Sequence, residues 1–139
     1  MRPENARLVR QSFDYFSPCA TAMVARIIRG LADRHPQIRA ILPDDPEPVC
    51  KAWVATLRQV IRHPGGFRAL QAPLGELGRR AAALGTRPQD YAAVREEVLS
   101  VMGEYAGDEW TPRLRESWAL LLEAMSGAML AGAVSSAAA

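Results

Sequence analysis

The stretch LGELGRRAAALGTRPQDYAAV, from Leu74 to Val94, predicts the end of one helix and the start of the next. Its first half is rich in alanine and leucine, which favour helix, and predicts a short helix from Leu74 to Leu84. Gly85 follows, and glycine is common just past a helix end because it adopts the left-handed conformation freely. Thr86-Arg87-Pro88 then starts another helix, with proline in its first turn. Two helices joined by a tight corner indicate a helical protein.

The same pattern of helices separated by helix-breaking residues continues along the whole chain. Apolar residues recur at helical spacing, and prolines or glycines separate the segments. We expect further helices over Pro3 to Phe16, Cys19 to His35, Pro36 to Leu42, Val49 to His63, and from Pro112, capped by Thr111, to Val134, with a loop over 44–48. No stretch alternates with period two. The prediction is therefore a single all-α domain over residues 1–134, followed by a disordered Ser/Ala tail over 135–139.

Composition and charge exclude several functional classes. The chain has 139 residues, 49% of them hydrophobic and 23% charged, as in an ordinary globular domain. Its net charge is only +2 and its longest basic run is Arg79-Arg80, so we expect no nucleic-acid partner. Cys19 and Cys50 are too few for a disulfide framework or a zinc site. No serine-hydrolase, phosphate-loop or metalloprotease motif occurs.

The sequence also predicts a cytoplasmic location. No apolar stretch follows Met1-Arg2-Pro3-Glu4-Asn5, so no signal peptide is expected. The apolar stretch from Trp118 to Ala139 is interrupted by Glu123 and by glycines, which favours a buried helix over a membrane span. The preference for arginine over lysine, together with the many alanines, is typical of a GC-rich bacterial genome. We therefore expect no membrane partner.

Three segments resemble bacterial single-domain globins and the globin domain of flavohaemoglobins. RHPQIRAILPDD (Arg34 to Asp45) resembles the corner after their second helix, and LGELGRRAAALGTRPQDYAAV resembles their proximal helix and the start of the next. YAGDEWTPRLRESWALLLEAM (Tyr105 to Met125) resembles their last corner and last helix. The segments occur in the family's order and cover nearly the whole chain. The resemblance implies a globin fold of about seven or eight helices.

The resemblance fails at the residues that hold haem. The family's proximal histidine, four residues before the glycine, corresponds to Ala81, whereas the family's tyrosine ten residues later is present as Tyr91. The distal polar position corresponds to Val49. Leu42 stands for the family's phenylalanine, Ile28 for its distal tyrosine and Trp53 for its distal leucine. The resemblance therefore implies a globin without its proximal ligand and without a distal hydrogen-bond donor, and we expect no haem.

Other side chains offer only weak alternatives as iron ligands. His35 lies at an outer corner and His63 at a helix end, and neither is placed to reach an iron. Cys50 is turned about 100° around its helix from Val49. Met23, Met102 and Tyr91 are expected to be core residues.

A globin pocket without haem must be filled or must bind something else. A void of several hundred Å³ would cost on the order of 10 kcal/mol, which is as much as a whole domain's stability. We expect the Trp53 indole to fill the distal side, packed against Leu42 and Ile28, and Tyr91 to face it. The predicted pocket is lined by Ile28, Leu42, Val49, Trp53, Ala81, Tyr91, Val94, Val98, Trp118 and Leu122, with Arg79 and Arg80 at its mouth.

Three functions follow as hypotheses. The first is a haem-free globin-fold protein that binds or senses a small hydrophobic molecule, alone or with a protein partner or a second copy of itself. The second is a cofactor-independent enzyme of bacterial specialised metabolism, with Tyr91 as acid or hydrogen-bond donor. The third is a globin that binds oxygen or nitric oxide on haem b held by an unusual ligand.

Overall fold

The fold consists of helices throughout the part of the chain that the structure, a computed structural model, describes: residues 2–62 and 67–138. The α-helices are α1 (Pro3–Phe16), α2 (Ala20–Arg34), α3 (Pro36–Arg39), α4 (Pro46–Arg62), α5 (Phe67–Ala83), α6 (Pro88–Ala106) and α7 (Pro112–Ala138). Short 3-10 helices follow α1 over Ser17–Cys19 and α6 over Gly107–Glu109. The described residues form no strand, and the predicted all-α class is confirmed.

Local chemistry sets several helix ends where the sequence predicts them. The Thr111 hydroxyl accepts a hydrogen bond from the Leu114 amide at 3.1 Å, as an N-cap of α7 should. After α5, Gly85 has a φ of 105°, a backbone conformation that disfavours a side chain. The Thr86 amide donates to the Ala81 carbonyl at 3.0 Å, which closes the C-terminal turn of α5.

Two helices begin earlier than expected. Helix α4 starts at Pro46, inside the predicted loop, where Asp45 Oδ1 accepts the Glu47 amide at 3.1 Å. Helix α5 starts at Phe67 and contains Pro73, although proline normally interrupts a helix. Buried Leu70, in the turn before the proline, belongs to the same core as Leu74, and this packing accounts for the roughly two extra turns.

Helix α7 is the central helix of the fold. One of its faces packs on α1, α5 and α6, and Trp118 on that face is 1% exposed. By length and composition alone Pro112–Val134 could cross a membrane; only 22% of its most apolar window is buried in this fold, although the helix does supply core residues such as Trp118. The helix continues to Ala138, so it includes residues 135–138, which the sequence places in a disordered tail.

The aromatic centre of the core is fixed by a hydrogen bond. The Trp118 indole N–H donates to the Ser12 hydroxyl at 2.8 Å, and Ser12 donates to the Val9 carbonyl at 2.9 Å. Phe16 packs edge-on against Trp118, with ring centroids 6.1 Å apart. These contacts hold α1 against α7 in a single orientation.

Helices α5 and α7 cross at backbone contact. A Cβ placed on Gly78 would lie 1.8 Å from the Met129 carbonyl oxygen, and one placed on Gly132 would lie 2.3 Å from the Gly75 Cα. Only glycine permits this approach, because any side chain would force the helices apart. The contact fixes α5, which carries Ala81, against the centre of the fold.

Candidate ligand-binding site

An apolar cavity lies among α1, α2, α4, α6 and α7. It holds about 70 Å³ and is partly open to solvent, and Ser17 is the one described lining residue with a hydroxyl group. The lining residues are Phe13, Phe16, Ser17, Ala20, Met23, Val24, Ile27, Trp53, Val54, Leu57, Val98, Met102, Trp118 and Leu122. Such a wall can bind an apolar molecule but offers almost nothing to a charged one.

Four predicted pocket residues line this cavity. They are Trp53, Val98, Trp118 and Leu122. The other six, Ile28, Leu42, Val49, Ala81, Tyr91 and Val94, are half-buried and lie outside its wall. The cavity is therefore closer to α1 and to the first turns of α2 than the predicted pocket.

Trp53 is positioned differently from the sequence expectation. Its side chain is at the edge of the cavity and is 38% exposed, so the indole does not serve as a buried filler. Its neighbours in the cavity wall include Ala20 and Val24 of α2, whereas Leu42 and Ile28 are absent from that wall. The reason is the packing of α4 on α2, which brings this turn of α4 beside the start of α2.

No described side chain of α5 belongs to the cavity wall. Ala81 is half-buried, and its side chain is a methyl group. Arg79 and Arg80, the predicted pocket mouth, are exposed and both pair with Glu76 on the same helix, Arg80 at 3.6 Å. These arginines are engaged along α5 and are absent from the cavity wall.

Tyr91 carries an unusual polar group. Its hydroxyl is buried and has no hydrogen-bond partner among the described residues. Burial raises the pKa of this phenol, so the group is a neutral donor at physiological pH. Asp90, the preceding residue, is instead fully paired: its carboxylate accepts the Arg87 amide at 2.8 Å and the Arg87 guanidinium at 3.0 Å.

The residues present do not fit haem as the family holds it. Position 81 is an alanine, whose methyl side chain supplies no donor atom to an iron. Met23 and Met102 are buried in the cavity wall, as the sequence predicts for core residues. Cys50 is buried, with its sulfur 3.5 Å from the Thr21 hydroxyl on α2.

The histidines and acidic residues offer no clear metal site either. His35 is half-buried between α2 and α3, and His63 lies outside the described residues. Within residues 2–62 and 67–138, no group of three or more histidine, cysteine, aspartate or glutamate side chains could hold a metal ion.

The pocket predicted from the sequence contains no residue of α1, although α1 contributes to the cavity wall. Phe13, Phe16 and Ser17 form one side of the cavity, together with Ala20. The helical spacing of Phe13 and Phe16 identifies them as apolar-face residues, but that spacing does not say which helix they will face. The missing information is the packing of α1 across α4 and α7.

Comparison with known proteins identifies the fold. The chain is similar to an engineered carbene transferase described as a nitric oxide dioxygenase from Rhodothermus marinus, with a TM-score of 0.86, 22% identity and coverage of 99% of this chain and 96% of that chain. It is also similar to the flavohaemoglobin of Malassezia yamatoensis, solved with bound FAD and haem, with a TM-score of 0.82, 14% identity and coverage of 99% of this chain and 37% of that one.

The family assignment rests on the sequence match. At these identities the structural likeness shows the fold alone, and no curated protein matches the chain. The globin family model matches residues 49–129, which is more than half of the chain. The resemblance drawn from the sequence is thereby confirmed, and the chain belongs to the globin family.

Proposed function

We propose that this globin works without haem and binds a small apolar molecule inside its helical core. The observation that carries the proposal is the pairing of an apolar internal cavity with an alanine at the family's ligand position. The cavity supplies a place for a ligand, and the alanine removes the bond on which the family's cofactor depends.

The position of α5 supports the absence of haem. Gly75 and Gly78 hold α5 in backbone contact with α7, so the helix cannot slide to present another side chain in place of Ala81. The neighbours on either side are Arg80 and Ala82, and both are exposed. A conventional donor at this point would therefore require a substitution.

The cavity supports weak binding of a small ligand. A fully enclosed empty cavity of about 70 Å³ would cost on the order of 1.7 kcal/mol at 24 cal/mol per Å³; because this cavity is partly open to solvent, an apolar ligand can recover at most that amount. Small ligands gain at most about 1.5 kcal/mol per heavy atom. Three or four atoms then give a Kd no tighter than tens of micromolar, on the order expected for a sensor that releases its ligand quickly.

A haem titration tests the proposal. Purified wild-type protein is titrated with haemin and followed by its Soret absorption, beside Ala81→His and the matched control Ala82→His. Ala82 is one residue further along α5, turned about 100° around the helix and exposed. We expect a stoichiometric Soret band with Ala81→His alone. A stoichiometric band with the wild type, or equal bands with both histidine variants, would contradict the proposal.

The enzyme hypothesis has one observation in its favour, the unpartnered Tyr91 hydroxyl. A buried neutral donor is suited to polarise or protonate a substrate oxygen. A bound polar molecule would be detected by Tyr91→Phe, which should weaken its binding or turnover while leaving xenon binding in the apolar cavity unchanged. An equal loss of both would assign Tyr91 a purely structural role.

A further inference from the structure

Trp53 is the one exposed residue in the wall of the cavity. Its side chain is 38% exposed, while every other lining residue is buried or half-buried. The cavity therefore approaches solvent beside the indole of Trp53. Any molecule that reaches the interior by this side passes that ring.

The two tryptophans in the wall are held very differently. Trp118 is 1% exposed, and its N–H is bound to the Ser12 hydroxyl at 2.8 Å. Trp53 makes no hydrogen bond or ring contact with another described residue. Because the Trp53 indole is already 38% exposed and makes no hydrogen bond to a described residue, it can rotate toward solvent without breaking one. Rotation of the Trp118 indole would break its hydrogen bond to Ser12.

We propose that Trp53 is a gate that sets the size of the ligand, an inference that rests on the proposed function. With the indole in its present position the cavity, which is partly open to solvent, holds about 70 Å³, about half of the roughly 150 Å³ that accommodates benzene in an engineered protein core. In this arrangement it takes an atom or molecule of xenon or diatomic-gas size. Rotation of the indole into solvent adds its volume to the cavity and admits a single aromatic ring or a short alkyl chain.

The wall also defines the chemistry of that ligand. The described lining residues include Met23, Met102 and Leu122, and their polar side-chain groups are the Ser17 hydroxyl and two indole N–H groups, of which that of Trp118 is already bound to Ser12. A ligand with a charge or several polar groups would lose its hydration without finding partners. The ligand class is thus an unfunctionalised apolar molecule whose upper size limit is set by Trp53.

The test compares two probes of different size, xenon and benzene. Binding is followed by methyl chemical shifts in titrations of wild-type protein, Trp53→Ala, Trp53→Phe and two controls. Leu120→Ala shortens a side chain that is also exposed but lies outside the cavity wall. Ala20→Leu adds bulk inside the wall. Circular dichroism checks that each variant is folded, and Trp53→Phe decides the outcome if Trp53→Ala is not.

We expect xenon to bind the wild type and Leu120→Ala with equal affinity. Ala20→Leu should weaken xenon binding at least tenfold. Benzene should bind Trp53→Ala at least tenfold more tightly than the wild type, with Trp53→Phe between them. Equal benzene affinity in the wild type and both Trp53 variants, with xenon still bound, would overturn the gate and leave the proposed function standing. No binding of either probe to any folded variant would overturn both.

Discussion

Replacing Gly132 by alanine tests the backbone contact that fixes α5 on α7. A Cβ at this position would lie 2.3 Å from both the Cα and the carbonyl oxygen of Gly75. Ordinary carbon contacts need about 3.5 Å, so the helices must separate by roughly 1 Å. The obstacle is backbone and cannot rotate away.

The magnitude follows from a matched substitution in the same helix. Gly127 also lies in α7, and a Cβ there meets no described atom within 4 Å. Both alanine variants gain about 1 kcal/mol of helix propensity, so the difference between them isolates the cost of overpacking. That cost is about 1–3 kcal/mol, and the backbone obstacle places it at the upper end or above.

Thermal and urea unfolding followed by circular dichroism provides the measurement. For a domain of this size, 1 kcal/mol shifts the Tm by about 3–5 °C. We expect Gly127→Ala to melt at or above the wild type, and Gly132→Ala to melt about 5–15 °C below Gly127→Ala. A Gly132→Ala variant as stable as Gly127→Ala would show that α5 and α7 do not cross at backbone contact.

Three further substitutions test the core and the start of α6. Ser12→Ala should cost about 1–3 kcal/mol in urea unfolding, because it leaves the buried N–H of Trp118 without an acceptor. Tyr91→Phe should raise the free energy of unfolding by about 1 kcal/mol or more, since it removes a buried hydroxyl that has no partner; destabilisation would mean that the hydroxyl is bonded in solution. Burial alone would raise the pKa of Asp90, but the hydrogen bonds from Arg87 lower this pKa overall. The stabilisation that ionised Asp90 provides is therefore present above the unfolded pKa of about 3.9 and is lost as the pH falls through the lower folded pKa. Asp90→Asn should therefore reduce stability at neutral pH and flatten its decline below about pH 4, whereas an unchanged pH profile would mean that Asp90 is not paired.

The helix ends could be predicted where local chemistry alone decides them. Thr111 caps α7 through its own hydroxyl, and Gly85 adopts the positive φ expected past a helix end. The start of α5 could not be predicted in this way. Pro73 predicts a boundary, and the helix continues across it because Leu70 is buried among distant parts of the chain.

The predicted pocket and the candidate cavity both have apolar linings, but they share only part of their residues. The family spacing places Val98, Trp118 and Leu122 in a pocket, and they do line the cavity. It does not predict the contribution of α1, and it places the Trp53 indole too deep. Both differences depend on how whole helices pack, since a shift of one helix by a few ångströms exchanges the residues that share a wall without changing any local pattern.

The surroundings of Ala81 and Tyr91 provide a physical argument for the proposed function. If a helix in this position were held by a bond between one of its side chains and a metal ion, loss of that side chain would leave the helix loosely attached. Here the glycine contact with α7 would hold α5 even without such a bond, so the fold tolerates an alanine at position 81. The Tyr91 hydroxyl has no hydrogen-bond partner among the described residues, and a buried group of this kind costs about 1–3 kcal/mol. A bound molecule that accepted a hydrogen bond from it would recover part of that cost. The apolar cavity beside Trp53 and the unpartnered phenol of Tyr91 are therefore the two places at which the proposed binding of a small molecule is best tested.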